Sequence, residues 1–342
     1  MIEAVKRYIS QRGYTCTDGL VEAFYLSLKT RPFLLLTGNS ETDKTLLPSL
    51  FAESLGATAE NGRYLQLSVS PDWMDSSDLF GWLDLEGTFI PGVIIDFLKT
   101  AQQDPDRPYF LCLDKLILSR ADYFLRDYVA AVASMGQQEE QPFVNLLYYG
   151  RDEEAARKYG IIPALRNVFT VATVDVDLEG RPLNRKLMDR VNTLTVRKAD
   201  ITGSDTEYPA PLDAQKDFLA TAYDSLDQCP AEQLDAYIAA FAQINRILTE
   251  ANAYIGYKLR NDGILYLMHN RLTGVLPENE ALDRVICEKI LSRLQATQKT
   301  VPVLRQLQGF CQKAACHCAQ RTLFQMIGRW EQTGLSDYWD CL

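Results

Sequence analysis

Several features that would assign this chain to a large class of proteins are missing. No apolar run approaches the roughly 18 residues needed to cross a bilayer, so no transmembrane helix is expected. The opening stretch, MIEAVKRYISQRGY, has no long apolar core and no small-residue cleavage site, and it does not read as a secretory leader. Its Ile2, Val5 and Ile9 recur instead at helical spacing. These two absences point to the cytoplasm. Positive charge is in deficit: 35 Lys and Arg stand against 45 Asp and Glu, a net charge of -10. Non-specific affinity for nucleic acid comes mainly from cations meeting phosphates, so direct nucleic-acid binding is not expected. One basic group, Lys186, Arg190, Arg197 and Lys198, reads first as solvated charge on a helix and a strand. There is no internal repeat and no low-complexity tract.

The cysteines do not form a framework either. Eight are scattered through 342 residues, and without an export signal reduced thiols are the default. The one dense group is Cys311, Cys316, His317 and Cys318. Metal ligands must converge on a point, and consecutive residues on a helix point about 100° apart. A helix with some buried cysteines is the expectation.

What is present is a core and an α/β pattern. The chain is 47% hydrophobic and 23% charged, ordinary for a globular protein. Over roughly the first 200 residues, apolar runs alternate with helical stretches. The expected strands are Pro32–Thr37, Tyr64–Ser68, Tyr109–Leu113, Val168–Val174 and Val191–Val196. They are apolar nearly throughout, as in a sheet covered on both faces. Between the second and third, Asp84–Pro91 with Glu86-Gly87 at its centre predicts a small hairpin. Ile201–Leu212 is rich in turn formers and holds two prolines, which makes it the best boundary. The expected organisation is an α/β domain over 1–200, a linker over 201–212 and a helical region over 213–342. After Pro230, apolar Leu234, Tyr237, Ile238, Phe241, Ile244, Ile247 and Leu248 recur at three- and four-residue spacing. Further helices are expected around Gly263–His269, Ala281–Gln295 and Val301–Gly328.

The chemistry concentrates after the first strand. Gly38-Asn39-Ser40-Glu41-Thr42-Asp43-Lys44-Thr45 follows the strand and precedes a helix. A working P-loop reads G-x-x-x-x-G-K-[ST], with backbone N–H groups and a helix N-terminus turned to the phosphates. Gly38, Lys44 and Thr45 match at the right spacing. Lys44 would meet the outer phosphates and the Thr45 hydroxyl would hold Mg²⁺. Asp43 stands where the last glycine belongs. Its Cβ restricts the backbone, and its carboxylate would face phosphate. Two like charges about 5 Å apart repel by roughly 3 kcal/mol at an effective dielectric of about 20, on the order of a hundredfold in affinity. Glu41 adds a second anion. Read in isolation, this segment also suits an ordinary surface turn before a helix.

The third strand ends in Leu113-Asp114-Lys115. Asp114 is placed to support Mg²⁺, or else to cap a helix. Lys115 follows it, and a cation cannot act as base toward a water. The fourth strand ends in Val174-Asp175, a polar end placed to orient water beside a γ-phosphate. Arg190 lies just before the fifth strand, placed to reach a neighbouring subunit's nucleotide. A solvated loop and a basic helix end are the plainer readings of those two.

Taken in order, these segments resemble the McrB-like AAA+ NTPase modules of the dynein-related and MoxR-like branch. The resemblance covers most of residues 1–310. It rests on FLLLTGNSETDKT, SPDWMDSSDLFG with GTFIPGVIIDFLKTAQ, YFLCLDKLILSRADYFLRD, VFTVATVDVDLEGRPLNRKLMDR and IGYKLRNDGILYL. It implies a three-layer αβα AAA+ P-loop domain, a parallel sheet in the order 5-1-4-3-2 and an all-helical lid. It also implies assembly into a ring of the hexamer type, with ATP or GTP and Mg²⁺ at subunit interfaces, and work beside a nuclease partner in restriction or phage defence. Lys44 and Thr45 match the Walker A lysine and hydroxyl, and Asp114 the Walker B aspartate. Asp175 falls at the sensor-1 position, Arg190 resembles an arginine finger, and Arg260 is a weaker match to the lid's sensor-2 arginine.

The departures cluster. Glu41 and Asp43 replace Walker A glycines, Lys115 replaces the catalytic glutamate, and Asp175 replaces the sensor asparagine. The stretch before the P-loop reads as helices only, so the family's DNA-reading domain does not carry over. The expectation is a kept fold with lost chemistry: nucleotide bound weakly, little or no hydrolysis, and a role as a ring or partner-binding subunit. A nucleotide-binding NTPase that tolerates the substitutions is the alternative. A physical corollary is that Glu41, Asp43 and Asp175 pair with Lys44 and Lys115 and fill the phosphate space themselves.

Overall fold

The computed structural model describes residues 1–14, 19–39, 42, 44–73, 75–117, 121, 123–134, 146–176, 185–196, 210–223 and 225–341. The chain divides into two compact units, each described by itself. The first comprises Met1–Thr17, Arg31–Val191 and Lys198–Thr221.

In the first unit, a helix over Ile2–Gln11 buries Ile2, Val5, Tyr8 and Ile9, the face set by the spacing of its apolar residues. Strand β1 follows at Phe33–Gly38, then a helix over Leu46–Ser54 and strand β2 at Tyr64–Ser68. A hairpin of β3, Gly81–Leu83, and β4, Phe89–Pro91, pairs Trp82 with Ile90. Its turn is built as the Glu86-Gly87 signal predicts. The Asp84 carboxylate accepts from the N–H groups of Glu86 and Thr88, both at 2.9 Å. Gly87 takes φ +83°, a region open to glycine at no steric cost. Strand β5, Tyr109–Asp114, and strand β6, Val168–Asp175, complete the described sheet of this unit.

The pairs β1–β6, β6–β5 and β5–β2 are all parallel, giving the order β2-β5-β6-β1. Parallel neighbours need crossovers, and the helices that supply them cover the sheet. Phe33, Leu34, Leu35 and Leu36 are each fully buried in consequence. At the outer strand β2, burial alternates between its two faces. An aromatic cluster of Phe51, Phe110, Phe169 and Phe218 fills one side of the core, with Phe169 and Phe218 centred 4.7 Å apart. Phe218 arrives on a short helix over Gln215–Leu219, anchored where Leu212 N–H donates to the Ser54 carbonyl at 2.7 Å.

The second unit comprises Asp18–Thr30, Asn192–Arg197 and Ala222–Leu342. A helix over Leu20–Thr30 lies beside strand β7, Asn192–Val196, where Asn192 Nδ2 donates to the Ser27 carbonyl at 2.6 Å. The remainder is mostly helical. The helix Ala231–Thr249 starts just after Pro230 and buries Tyr237, Phe241, Ile244 and Leu248, four of the periodic positions. Tyr257–Thr273 extends well beyond the expected core of that helix. Glu278–Val285 runs on into a π turn at Ile286–Ile290 and a 3₁₀ turn at Leu291–Arg293 in place of one continuous helix.

The stretch expected around Val301–Gly328 is two helices, Val301–Lys313 and His317–Thr333. The chain reverses at Ala315, φ +54°. The second helix starts there because Asp283 caps it: its carboxylate accepts from Cys318 N–H and Ala319 N–H, both at 2.7 Å. Cys316 therefore precedes the helix, and Cys311 and Cys316 are buried. Among the described residues no group of His, Cys, Asp and Glu is arranged to hold a metal ion. No helix of the described residues is long and apolar enough to cross a membrane.

Candidate nucleotide site

The sheet brings the P-loop residues together. Strand β1 ends at Gly38, whose register partner on β6 is Asp175. Strand β5 ends beside them at Asp114, paired with Ser68 of β2. The loop leaves β1 and returns at Lys44 and Thr45 to start the helix Leu46–Ser54, so Lys44, Thr45, Asp114 and Asp175 meet at the carboxyl ends of parallel strands. Ser40, Glu41 and Asp43 lie outside the described residues, as does 177–184.

One half of this candidate site gathers two hydroxyls on a carboxylate. Thr45 Oγ1 donates to Asp114 Oδ1 at 2.9 Å, and Thr173 Oγ1 donates to the same oxygen at 2.6 Å. Asp114 Oδ2 takes no hydrogen bond among the described residues. A hydroxyl and a carboxylate with an open oxygen are hard donors that suit a hydrated Mg²⁺. Behind Asp114, burial drives the Tyr64 hydroxyl pKa upward, and the Asp114 charge adds to that rise. Burial likewise pushes the Cys112 thiol up to about 12, so it is a neutral filler.

The other half is closed on itself. Lys44 is 3% exposed, and an unpaired ammonium at that depth would carry a penalty of several kcal/mol. Asp175 removes the penalty: its Oδ1 lies 2.5 Å from Lys44 Nζ. Lys44 Nζ also donates to the Asn39 carbonyl at 2.7 Å. That same carbonyl accepts from Thr42 N–H at 3.1 Å and from Thr42 Oγ1 at 2.7 Å. The ammonium and the Thr42 amide, two donors that a P-loop offers to phosphate, are thus satisfied within the chain. As they stand, these residues do not fit an outer phosphate, because a phosphate oxygen has to displace the Asp175 carboxylate first.

Lys115 is held differently. Its backbone takes φ +57°, a conformation uncommon for a residue with a Cβ. Two hydrogen bonds fix it: Lys115 N–H donates to Thr173 Oγ1 at 2.9 Å, and Leu116 N–H to the Thr173 carbonyl at 2.7 Å. Its side chain is exposed and makes no ion pair among the described residues. The expected pairing of Lys115 with Glu41 or Asp43 involves residues outside that set. Arg190 sits past the short helix Arg185–Met188, its N–H bonded to the Leu187 carbonyl at 2.9 Å. Its partly exposed guanidinium makes no hydrogen bond or ion pair among the described residues. Arg260 belongs to the second unit. Its Nε and Nη2 donate to Asn261 Oδ1 at 3.0 and 2.8 Å, and its guanidinium lies 4.9 Å from the Tyr257 ring centre.

Thr173 is the residue that sequence reasoning missed. It joins Asp114 to the Lys115 turn, yet a threonine in a strand carries no signal of its own. Alternation along VFTVATVD does place Thr173 and Asp175 on the same side of β6, which is the trace it leaves.

Comparison with known proteins agrees with this geometry at the level of fold. A crystal structure of a candidate ATPase from Cytophaga hutchinsonii superposes with a TM-score of 0.52 at 15% identity, over 93% of this chain and 94% of that one. NtrX from Brucella abortus aligns over 93% of this chain and 72% of that one at 15% identity, but its TM-score of 0.29 is too low to argue from. A family model described as a domain of unknown function, DUF8727, matches residues 203–335. No curated protein matches the sequence. The parallel sheet, the strand–loop–helix at Gly38–Thr45 and the structural likeness together define an AAA+ ATPase-like fold.

Proposed function

We propose that this chain is a hydrolysis-deficient AAA+ module of the McrB-like kind, acting as a ring or partner-binding subunit. The observation that carries the proposal is the Lys44–Asp175 ion pair at 2.5 Å. A carboxylate from the sensor-1 position occupies the Walker A lysine, so the charge that would meet an outer phosphate is already neutralised. Lys115 supplies no base, since an ammonium cannot take a proton from water. ATP or GTP with Mg²⁺ binds weakly in this reading, through Thr45 and Asp114. The remaining loop positions from Gly38 to Asp43 cradle the phosphates poorly because two of them are acidic.

The order β2-β5-β6-β1 supports the full AAA+ order 5-1-4-3-2, and the helical second unit supports the lid. Arg190, with no internal partner among the described residues, is the residue offered to a neighbour's site in the ring. A nuclease subunit is the partner the resemblance favours, and the cytoplasm the location.

A second reading is a working nucleotide-binding subunit, favoured by the intact Thr45–Asp114 pair at 2.9 Å. Combining Glu41→Gly, Asp43→Gly, Lys115→Glu and Asp175→Asn separates the two. If only the site has decayed, the fourfold variant hydrolyses ATP or GTP while the parent does not. Steady hydrolysis by the parent chain would sink the first reading.

A further inference from the structure

The second unit contains a cavity of about 360 Å³ between the helices Ala231–Thr249 and Tyr257–Thr273. That volume falls in the range of small-molecule sites, which pair apolar walls with a few placed polar groups. Here the walls are Ile238, Phe241, Ala242 and Ile255, and the lining residues with polar side chains are Asn245, Tyr257 and Arg260. The two helices approach closely below it, where Phe241 fills the space that a side chain at Gly263 would need.

Besides the Tyr257 hydroxyl, which can donate or accept, the lining polar side chains leave donors open. Asn245 Oδ1 accepts from Ile255 N–H at 2.8 Å. A backbone N–H can only donate, so the amide orientation is fixed and the free end of Asn245 is its Nδ2 donor. Arg260 spends Nε and Nη2 on Asn261 and rests on the Tyr257 ring. Its remaining terminal nitrogen, Nη1, has no partner among the described residues. These two open groups are thus donors, one of them cationic. The helix Tyr257–Thr273 also begins at this cavity, with Gly256 as its N-cap and so no capping side chain from that residue. Its positive end adds to the same polarity.

We propose that this cavity binds a small molecule with an apolar body and a carboxylate head, the body against Phe241 and Ile255 and the carboxylate on Arg260 and Asn245. An aliphatic or aromatic carboxylate supplies acceptors to the Asn245 Nδ2 and Arg260 Nη1 donors. A neutral amide of the same shape leaves the guanidinium with a weaker partner.

Isothermal titration of the full chain with 4-phenylbutyrate and with its neutral amide, 4-phenylbutyramide, tests this. The carboxylate binds saturably, and the amide about tenfold more weakly or worse. Arg260→Met removes the difference, costing the carboxylate about tenfold and the amide little. Ala242→Trp fills the cavity from its exposed rim and abolishes binding of both, with an unchanged melting temperature. The proposal is overturned if 4-phenylbutyrate shows no saturable binding at millimolar concentration. It is also overturned if carboxylate and amide bind the parent chain equally, a comparison that requires no variant to fold.

Discussion

The two halves of the candidate nucleotide site differ in what satisfies them. At Thr45 and Asp114, two hydroxyls share one carboxylate oxygen and leave the other oxygen open. At Lys44 and Asp175, one residue earlier in the loop, an ammonium is closed by a carboxylate and a carbonyl. The first half leaves a carboxylate oxygen without a hydrogen bond among the described residues. The second half carries its own anion. Adjacent residues on one loop can therefore diverge, because each is answered by a different strand: Asp114 ends β5 and Asp175 ends β6.

That contrast is open to attack by mutation. The largest effect is expected at the closed half. Asp175→Asn strips the partner from a buried ammonium and destabilises the fold by about 3 kcal/mol, at the low end for a broken buried pair since Asp175 is partly exposed. Lys44→Met in the same background recovers most of that loss. Urea denaturation of the two single variants and the double variant gives the coupling directly, and additive losses would mean the pair is incidental.

Thr173→Val comes next. It deletes a donor to Asp114 and the acceptor for Lys115 N–H, at a cost of about 2 kcal/mol in the same assay. Thr45→Val removes one hydrogen bond at a partly exposed position and costs about 1 kcal/mol or less. If Thr45→Val costs more than Asp175→Asn, the two halves have been ranked the wrong way round.

The smallest effect lies away from the loop. Asp152 caps the helix Glu153–Tyr159, and the N–H groups of Ala155 and Phe89 hold its carboxyl pKa below 3.8. A depressed carboxyl contributes stability above its ordinary range, and that contribution is lost as pH falls through the lowered value. Asp152→Asn should accordingly match the parent more closely at pH 3 than at pH 6. A constant difference between the two pH values would remove the charge from the account.

Much of the fold was legible because it rests on local signals. Apolar runs marked the strands to within a residue or so, Glu86-Gly87 marked the hairpin turn, and the three- and four-residue spacing after Pro230 marked the helix. The break at Ala314–Cys316 was not legible, since these residues carry no helix-stopping signal and the cap comes from the distant Asp283. The site divides in the same way. The P-loop spacing and the acidic strand ends are local, and they named Lys44, Thr45, Asp114 and Asp175, which the fold gathers. Which carboxylate answers Lys44 depends on the register of β1 with β6, a long-range pairing that no local pattern encodes. Thr173 and the left-handed turn at Lys115 depend on the same packing.

The central claim is that Asp175 holds the place of a phosphate on Lys44. Thermal melting of the parent chain and of the Glu41→Gly, Asp43→Gly, Asp175→Asn variant, each with millimolar MgATP or MgGTP, tests it most directly. A ligand at 100 times its dissociation constant stabilises by about 2.7 kcal/mol. The account predicts at most a small nucleotide-dependent shift for the parent and a clear upward shift for the variant. A parent chain that melts higher with nucleotide, by as much as the variant does, would contradict it.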